Sequence, residues 1–302
     1  MGILATLRIK FMLAWATLLR MCFSYAAGNR LASKTIHHFH PFTSRHKPTY
    51  LAGLNKVFTG SSKVAAAWHR HLALLGVHRF QSTYYAGNDI NWIKQCQLEV
   101  LGADVIKEAH LQGKGVLVMT YHHHFNMLFC NLLATLGLPV TTIAMDDRGG
   151  DGYRNFSNRV NRIYNHAERL LNGGDIILVK PQSQVRPILR AFEKNHLVIT
   201  ANDFPNVFDD KNRMDLPFLG TTLSCPTGPV NLAVKKHIPV VAAYLNWDGD
   251  ERFKLVIRKI SDGGEGMPVN TAMSCYLEVL TTMIEEDPGL WEGWKWLGKP
   301  AE

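Results

Sequence analysis

Paired cysteines are missing from this sequence. Its five, Cys22, Cys96, Cys130, Cys225 and Cys275, are odd in number, widely spaced and never arranged as C-x-x-C. That argues against a disulfide framework and a cysteine zinc site, and points to a reducing compartment. No Lys/Arg block of five or more occurs, nor the interleaved basic and aromatic residues of a single-strand binder, so nucleic acid is not an expected partner. Phosphate loops fail as well: "GDGYRN" and "NGGDI" lack Walker spacing and its strand–turn–helix context. There is no G-x-S-x-G elbow ("SCPTG" at 224–228 has the wrong spacing) and no H-E-x-x-H pair. Internal repeats and low-complexity segments are also lacking.

What is present is a chain of 302 residues, 46% apolar and 19% charged, enough for one large core plus a terminal extension. The net charge of +8 suits an anionic partner, a phospholipid surface or an acidic carrier protein. Residues 1–29 carry Arg8 and Lys10, then an apolar stretch from Phe11 to Gly28 interrupted by Arg20. We expect a membrane-associated helix there, either a marginal span or an in-plane anchor. A cleaved signal peptide ending near Ala26, Ala27 and Gly28, and a plain core helix, are the alternatives. "MGILAT" also matches a short N-myristoylation pattern. Residues 30–60 lack sustained periodicity and read as a polar connector with short helical pieces. Residues 61–302 read as the catalytic-type domain.

Within it, 61–113 has helical spacing, with apolar Ile93, Leu98, Leu101 and Ile106 and a stop at Gly113. Strands and helices then alternate: strands near 115–121, 139–145, 175–180, 196–201, 239–247 and 252–260; helices near 126–137, 154–174, 183–195, 228–237 and 270–285. Near-continuous apolar strands separated by helices imply an α/β fold, a mostly parallel central sheet covered by helices on both faces. Function in such sheets sits where the strands end at their carboxyl edge. "YHHHFNML" (121–128) begins there.

Three consecutive histidines can pack, bind metal or move a proton. On an extended strand His122 and His124 would share a side and His123 would face the other, so two metal ligands could converge but a third must come from elsewhere. A neutral imidazole taking a proton from a hydroxyl or amine as it attacks an acyl carbonyl needs no such set. With no serine elbow, direct transfer is favoured over a covalent acyl-enzyme.

The same residues carry a resemblance. "GKGVLVMTYHHHFNML" is similar to the first block of the lipid A late acyltransferases, within the lysophospholipid acyltransferase superfamily. "VKPQSQVRPILRAFEKNHLVITANDFPN" resembles that family's helix, strand and D-Q segment. "MDLPFLGTTLSCPTGPVNLAVKKHIPVVAAY" (214–244) resembles its V-P-F-F-G stretch, and "DPGLWEGWKWLGKPAE" its closing tryptophan-rich motif. The similarity runs in order over about residues 90–302.

The resemblance implies acyl transfer from a thioester donor, acyl carrier protein or CoA, to a hydroxyl or amine of a lipid or small-molecule acceptor, with no cofactor and no metal. It implies an enzyme of lipid A biosynthesis at the inner membrane, with its active site on the cytoplasmic side. It puts His123 at the general base, Asn126 at the family's asparagine and Asp203 at its aspartate. His122, His124, Arg154, Arg159, Phe218 and Gly220 fall in the substrate-binding set, with Arg162 on the same helix as the arginines. Trp291, Trp294 and Trp296 suggest a membrane-interface cluster or core burial.

One position departs from the pattern. The family's histidine works with an acid five residues on, and residue 128 is Leu. Asp203 is the first candidate to replace that acid, with Asp146 and Asp147 in reserve. The alternative is a lipid- or carrier-binding protein that lost catalysis with the acid; a metal-dependent hydrolase is a third reading.

Overall fold

The central strands are built from runs such as "VLVMT" and "LVITA", whose β-branched and long apolar side chains suit a pleated surface buried on both sides. In the computed structural model, which describes residues 3–39, 43–145, 157–179, 185–203, 212–264 and 266–298, they form a seven-stranded sheet of order β1-β9-β8-β2-β5-β3-β4. The strands are β1 (Gln97–Leu101), β2 (Val116–Thr120), β3 (Val140–Met145), β4 (Ile176–Val179), β5 (Leu197–Ala201), β8 (Val240–Gly249) and β9 (Arg252–Ser261). Every neighbouring pair is parallel except β8 and β9, which form an antiparallel ladder. All five residues of β2 are buried although successive side chains point to opposite faces, so both faces of the sheet are covered there. The mostly parallel α/β sheet expected from the sequence is present.

Helices α5 (Ala103–Leu111), α6 (Asn126–Ala134), α7 (Ser157–Arg169), α8 (Arg186–Glu193), α9 (Gly228–Lys235) and α10 (Val269–Glu286) connect and cover the strands. Strands β6 (Arg213–Phe218) and β7 (Thr221–Pro226) form a separate antiparallel hairpin. Its two-residue loop, Leu219-Gly220, has positive φ at both positions (49° and 74°), the geometry that matches strand twist.

Two regions differ from the sequence reading. Residues 97–101, expected within a helical stretch, pair with β9 as an edge strand, and Gly102 at φ 83° turns the chain into α5. The helical spacing of Leu98 and Leu101 was misleading because an edge strand is only half covered and shows no clean period. Residues 30–60, expected as a polar connector with short helical pieces, belong largely to α2 (Tyr25–Thr35) and α3 (Thr43–Val57), which bury Asn29, Ala32, Tyr50 and Leu54. Gly76 of the long helix α4 (Ser61–Ala86) lets α2 approach closely: a Cβ there would collide with the Ala32 carbonyl.

The N-terminal segment is a helix, as expected. Helix α1 (Ile3–Cys22) buries Met12, Ala16 and Leu19 on the side that packs against α4. No helix among the described residues is long and apolar enough to cross a membrane. The small residues considered for cleavage lie inside α2, where Gly28 abuts the Phe80 ring. On the outer side of α1, Leu4, Leu7, Phe11, Leu18 and Met21 are exposed, at the spacing of one helical stripe.

Candidate active site

The register of β2 on β5 pairs Thr120 with Ala201, so the residues after each strand emerge side by side at the carboxyl edge. The Thr120 carbonyl accepts from the Asn202 N–H at 3.2 Å and from the Tyr276 hydroxyl at 2.9 Å, which ties the two strand ends together. Just beyond this tie stand His122, two residues after Thr120, and Asp203, one residue after Asn202.

Asp203 is 0% exposed and carries three donors' worth of hydrogen bonds. His122 gives it both its backbone N–H, at 2.9 and 3.1 Å to the two oxygens, and its ring Nδ1, at 2.7 Å. The Trp291 indole Nε1–H donates to the other carboxylate oxygen at 2.7 Å. A buried carboxylate is tolerable only when its oxygens are satisfied in this way. The His122 side chain keeps 34% of its surface exposed. With Nδ1–H directed at the carboxylate, the lone pair of the ring resides on Nε2. The arrangement can therefore accept a proton at Nε2 and stabilise the resulting imidazolium through Asp203.

His123 lies in different surroundings. It is 2% exposed, and its Nδ1 accepts from the Phe125 N–H at 3.1 Å while Nε2 is buried without a hydrogen-bond partner among the described residues. Burial, with Glu292 and Asp203 opposing it less strongly, pushes this imidazole down to about 3. A ring that stays neutral and enclosed is poorly placed to exchange protons with a substrate. The structure thus brings Asp203 to His122, expected in the binding set, and not to His123, which the resemblance placed at the base. Strand-like alternation ends at Thr120, and the turn at 123–126 decides the orientation. Asn126 belongs to that turn: its Oδ1 accepts from the His123 N–H at 3.4 Å.

His124 takes a third course. Nδ1 meets Glu292 Oε1 at 3.2 Å and Nε2 meets His71 Nδ1 at 3.0 Å. Burial opposes the Glu292 charge, yet Lys295, at 2.9 Å, and His124 together outweigh it and hold the carboxyl well below the usual range. The segment supplying Trp291 and Glu292 is seated on the histidines by the main chain too: residue 291 forms an antiparallel bridge with His123, and the Glu292 N–H donates to the His122 carbonyl at 2.9 Å.

The other expected site residues are distributed as follows. Phe218 is buried, its ring 5.4 Å from that of Trp291 in a T-shaped contact, so it reaches the site through the tryptophan. Gly220 is at the exposed tip of the hairpin. Arg159 is half-buried on α7 and donates to the Ser82 carbonyl of α4 at 3.5 Å; burial, then Arg162 and Arg79, lower it from its usual range. Arg162 is exposed. Arg154, Asp146 and Asp147 lie outside the described residues. Trp291 and Trp294 are 0% exposed, which corrects the membrane-interface reading for both: their indole N–H groups need buried acceptors and find Asp203 and the Pro288 carbonyl. Trp296 is partly exposed and stands edge-on to His122, centroids 5.1 Å apart. Among the described residues no group of three or more His, Cys, Asp or Glu is disposed to hold a metal ion.

A family model described as "Bacterial lipid A biosynthesis acyltransferase" matches residues 91–299, more than half of the chain. The chain belongs to this acyltransferase family. No curated protein matches it. The family region begins just before β1 and runs through Trp296, so it includes the His122–Asp203 pair and the segment that closes over it.

Sequence reasoning missed Trp291, Glu292 and His71 as neighbours of the site. The signal available was the concentration of Trp and Glu in "LWEGWKW", a composition that surface segments rarely have.

Proposed function

We propose that this member of the lipid A acyltransferase family moves an acyl group from a thioester, carried by acyl carrier protein or CoA, to a hydroxyl or amine of a lipid or small-molecule acceptor, with His122 as general base and Asp203 as its orienting carboxylate. The observation carrying this reading is the 2.7 Å contact between a part-exposed imidazole and a fully buried carboxylate at the carboxyl edge of a parallel sheet. Asp203 then does what the acid missing at position 128 does elsewhere in the family.

The chemistry follows from the pair. Nε2 of His122 takes the proton of the acceptor as its oxygen or nitrogen attacks the thioester carbonyl carbon. The tetrahedral intermediate collapses with cleavage of the C–S bond, and the imidazolium returns the proton to the departing thiolate. The Asp203 carboxylate, held against Nδ1, offsets the transient positive charge. The exposed apolar stripe of α1, with Arg8 and Lys10 on the same helix, would lie in the interface of an anionic membrane. The inner membrane, with the site facing the cytoplasm, is the setting the family suggests.

Purified full-length chain supplied with a fatty acyl-CoA and membrane lipid extract should form a product heavier by one acyl group, seen by mass spectrometry. His122→Ala should abolish it, and His123→Asn should not. Loss with His123→Asn and persistence with His122→Ala would reverse the assignment. Acyl transfer by neither the wild type nor any variant, alongside tight lipid or carrier binding, would favour a binding protein.

A further inference from the structure

We infer that Trp291 and Glu292 are positioning residues for the base pair, an inference that rests on the reading of His122 as the base: the indole N–H fixes the rotation of the Asp203 carboxylate, and the Glu292 main chain fixes the backbone of His122. Asp203 has two oxygens and could rotate about its side-chain bond. The 2.7 Å bond from Trp291 Nε1 holds one oxygen, so the other is presented to His122 Nδ1. The indole cannot swing away. It is fully buried and packed edge-on against Phe218 and Trp294, at 5.4 and 4.8 Å between centroids.

Glu292 acts by a separate route. Its N–H holds the His122 carbonyl at 2.9 Å, and its carboxylate is pinned from both sides by His124 at 3.2 Å and Lys295 at 2.9 Å. His124 is backed in turn by His71 on α4, whose ring stacks within 4.2 Å of Tyr50 on α3. The adjacent histidines thus divide the work: His122 meets the substrate, while His124 holds the strap that holds His122. Ring orientation within ~10–20° decides whether a base is productive, so holding groups of this kind affect rate more than binding.

The test compares Trp291→Phe, which keeps the ring and removes the donor, with Trp294→Phe, whose N–H is bonded to the Pro288 carbonyl instead. Trp291→Phe should lower kcat for acyl-CoA transfer about tenfold, with KM for the thioester changed less than about twofold. It should also move the hydrogen-bonded Nδ1–H proton resonance of His122 in NMR of the full chain. Trp294→Phe should lower stability and leave that resonance in place. The Trp291 indole N–H resonance should move when His122 is replaced in His122→Ala, a readout available even if Trp291→Phe fails to fold. Unchanged His122 resonance in Trp291→Phe, or an indole resonance indifferent to His122, would overturn the inference. The failure of His122→Ala to affect transfer would instead overturn the base assignment, since the NMR comparison does not depend on activity.

Discussion

Replacing Asp203 with Asn preserves the size of a side chain that is wholly enclosed, but removes the charge that the His122 imidazolium needs and presents an amide where Nδ1–H expects an acceptor. Transfer should fall by roughly 10³-fold or more, as when other histidine bases lose their orienting carboxylate, and a single-turnover assay with radiolabelled acyl-CoA measures it. His123→Asn behaves differently. Its side-chain oxygen can still accept from the Phe125 N–H, so transfer should keep its order of magnitude while stability falls by roughly 1–3 kcal/mol from the cavity left behind. His123 also makes the fold acid-sensitive. Its imidazole is near 3 when folded against an ordinary value of 6.5. The unfolded chain therefore binds the extra proton between those values, and stability is lost as pH falls from about 6.5 toward 3. Glu292, whose carboxyl is depressed, adds a loss in the same direction, starting below its ordinary 4.5. Urea midpoints at pH 7 and pH 5 should diverge more for the wild type than for His123→Asn, and equal divergence would refute the burial argument. Three histidines at a strand end were visible in the sequence as a site, but which of them meets the carboxylate was not, because periodicity holds only while the chain remains a strand.

At the scale of elements, the alternation from β2 to α10 was legible because buried strands and amphipathic helices differ in period over seven to fifteen residues. The β6–β7 hairpin was not, since Leu219 occupies a positive-φ position that sequence patterns assign to Asn, Asp or Gly. Helix α3 was hidden by its polarity, with Arg45, His46, Lys47 and Pro48 near its start. Yet α3 is the backing of the site. A Cβ on Gly53 would strike the Trp294 carbonyl, Lys56 donates to the Leu297 carbonyl at 2.6 Å, and the Tyr50 hydroxyl reaches the Trp291 carbonyl at 3.4 Å. Gly53→Ala should therefore push the short helix α11 (Trp294–Leu297) off α3, costing roughly 1–3 kcal/mol and lowering transfer together with melting temperature. Calorimetry that shows unchanged stability would contradict that close approach. On α1, Leu4→Glu with Leu7→Glu alters only the outer stripe. Flotation with anionic vesicles should show the double variant released and the wild type bound, at equal melting temperatures.

Over the whole molecule, the charge of +8 and the apolar stripe of α1 act together. Vesicle binding should weaken between 50 and 500 mM salt, as the Debye length shrinks below about 5 Å, and should persist in part through the apolar contact. Neutral vesicles should bind with little salt dependence, and a salt-independent affinity for anionic vesicles would remove the electrostatic half of the argument.

The bonds from Trp291 to Asp203 and from Glu292 to His122 join the middle of the chain to residues 287–298. During synthesis β2, β3, β4 and β5 can pair while that segment is still inside the ribosome, leaving Asp203 with only the donors of His122. Under the proposed roles, transfer would begin only when residues 287–298 emerge and dock, so the pair is held short of its working geometry until then.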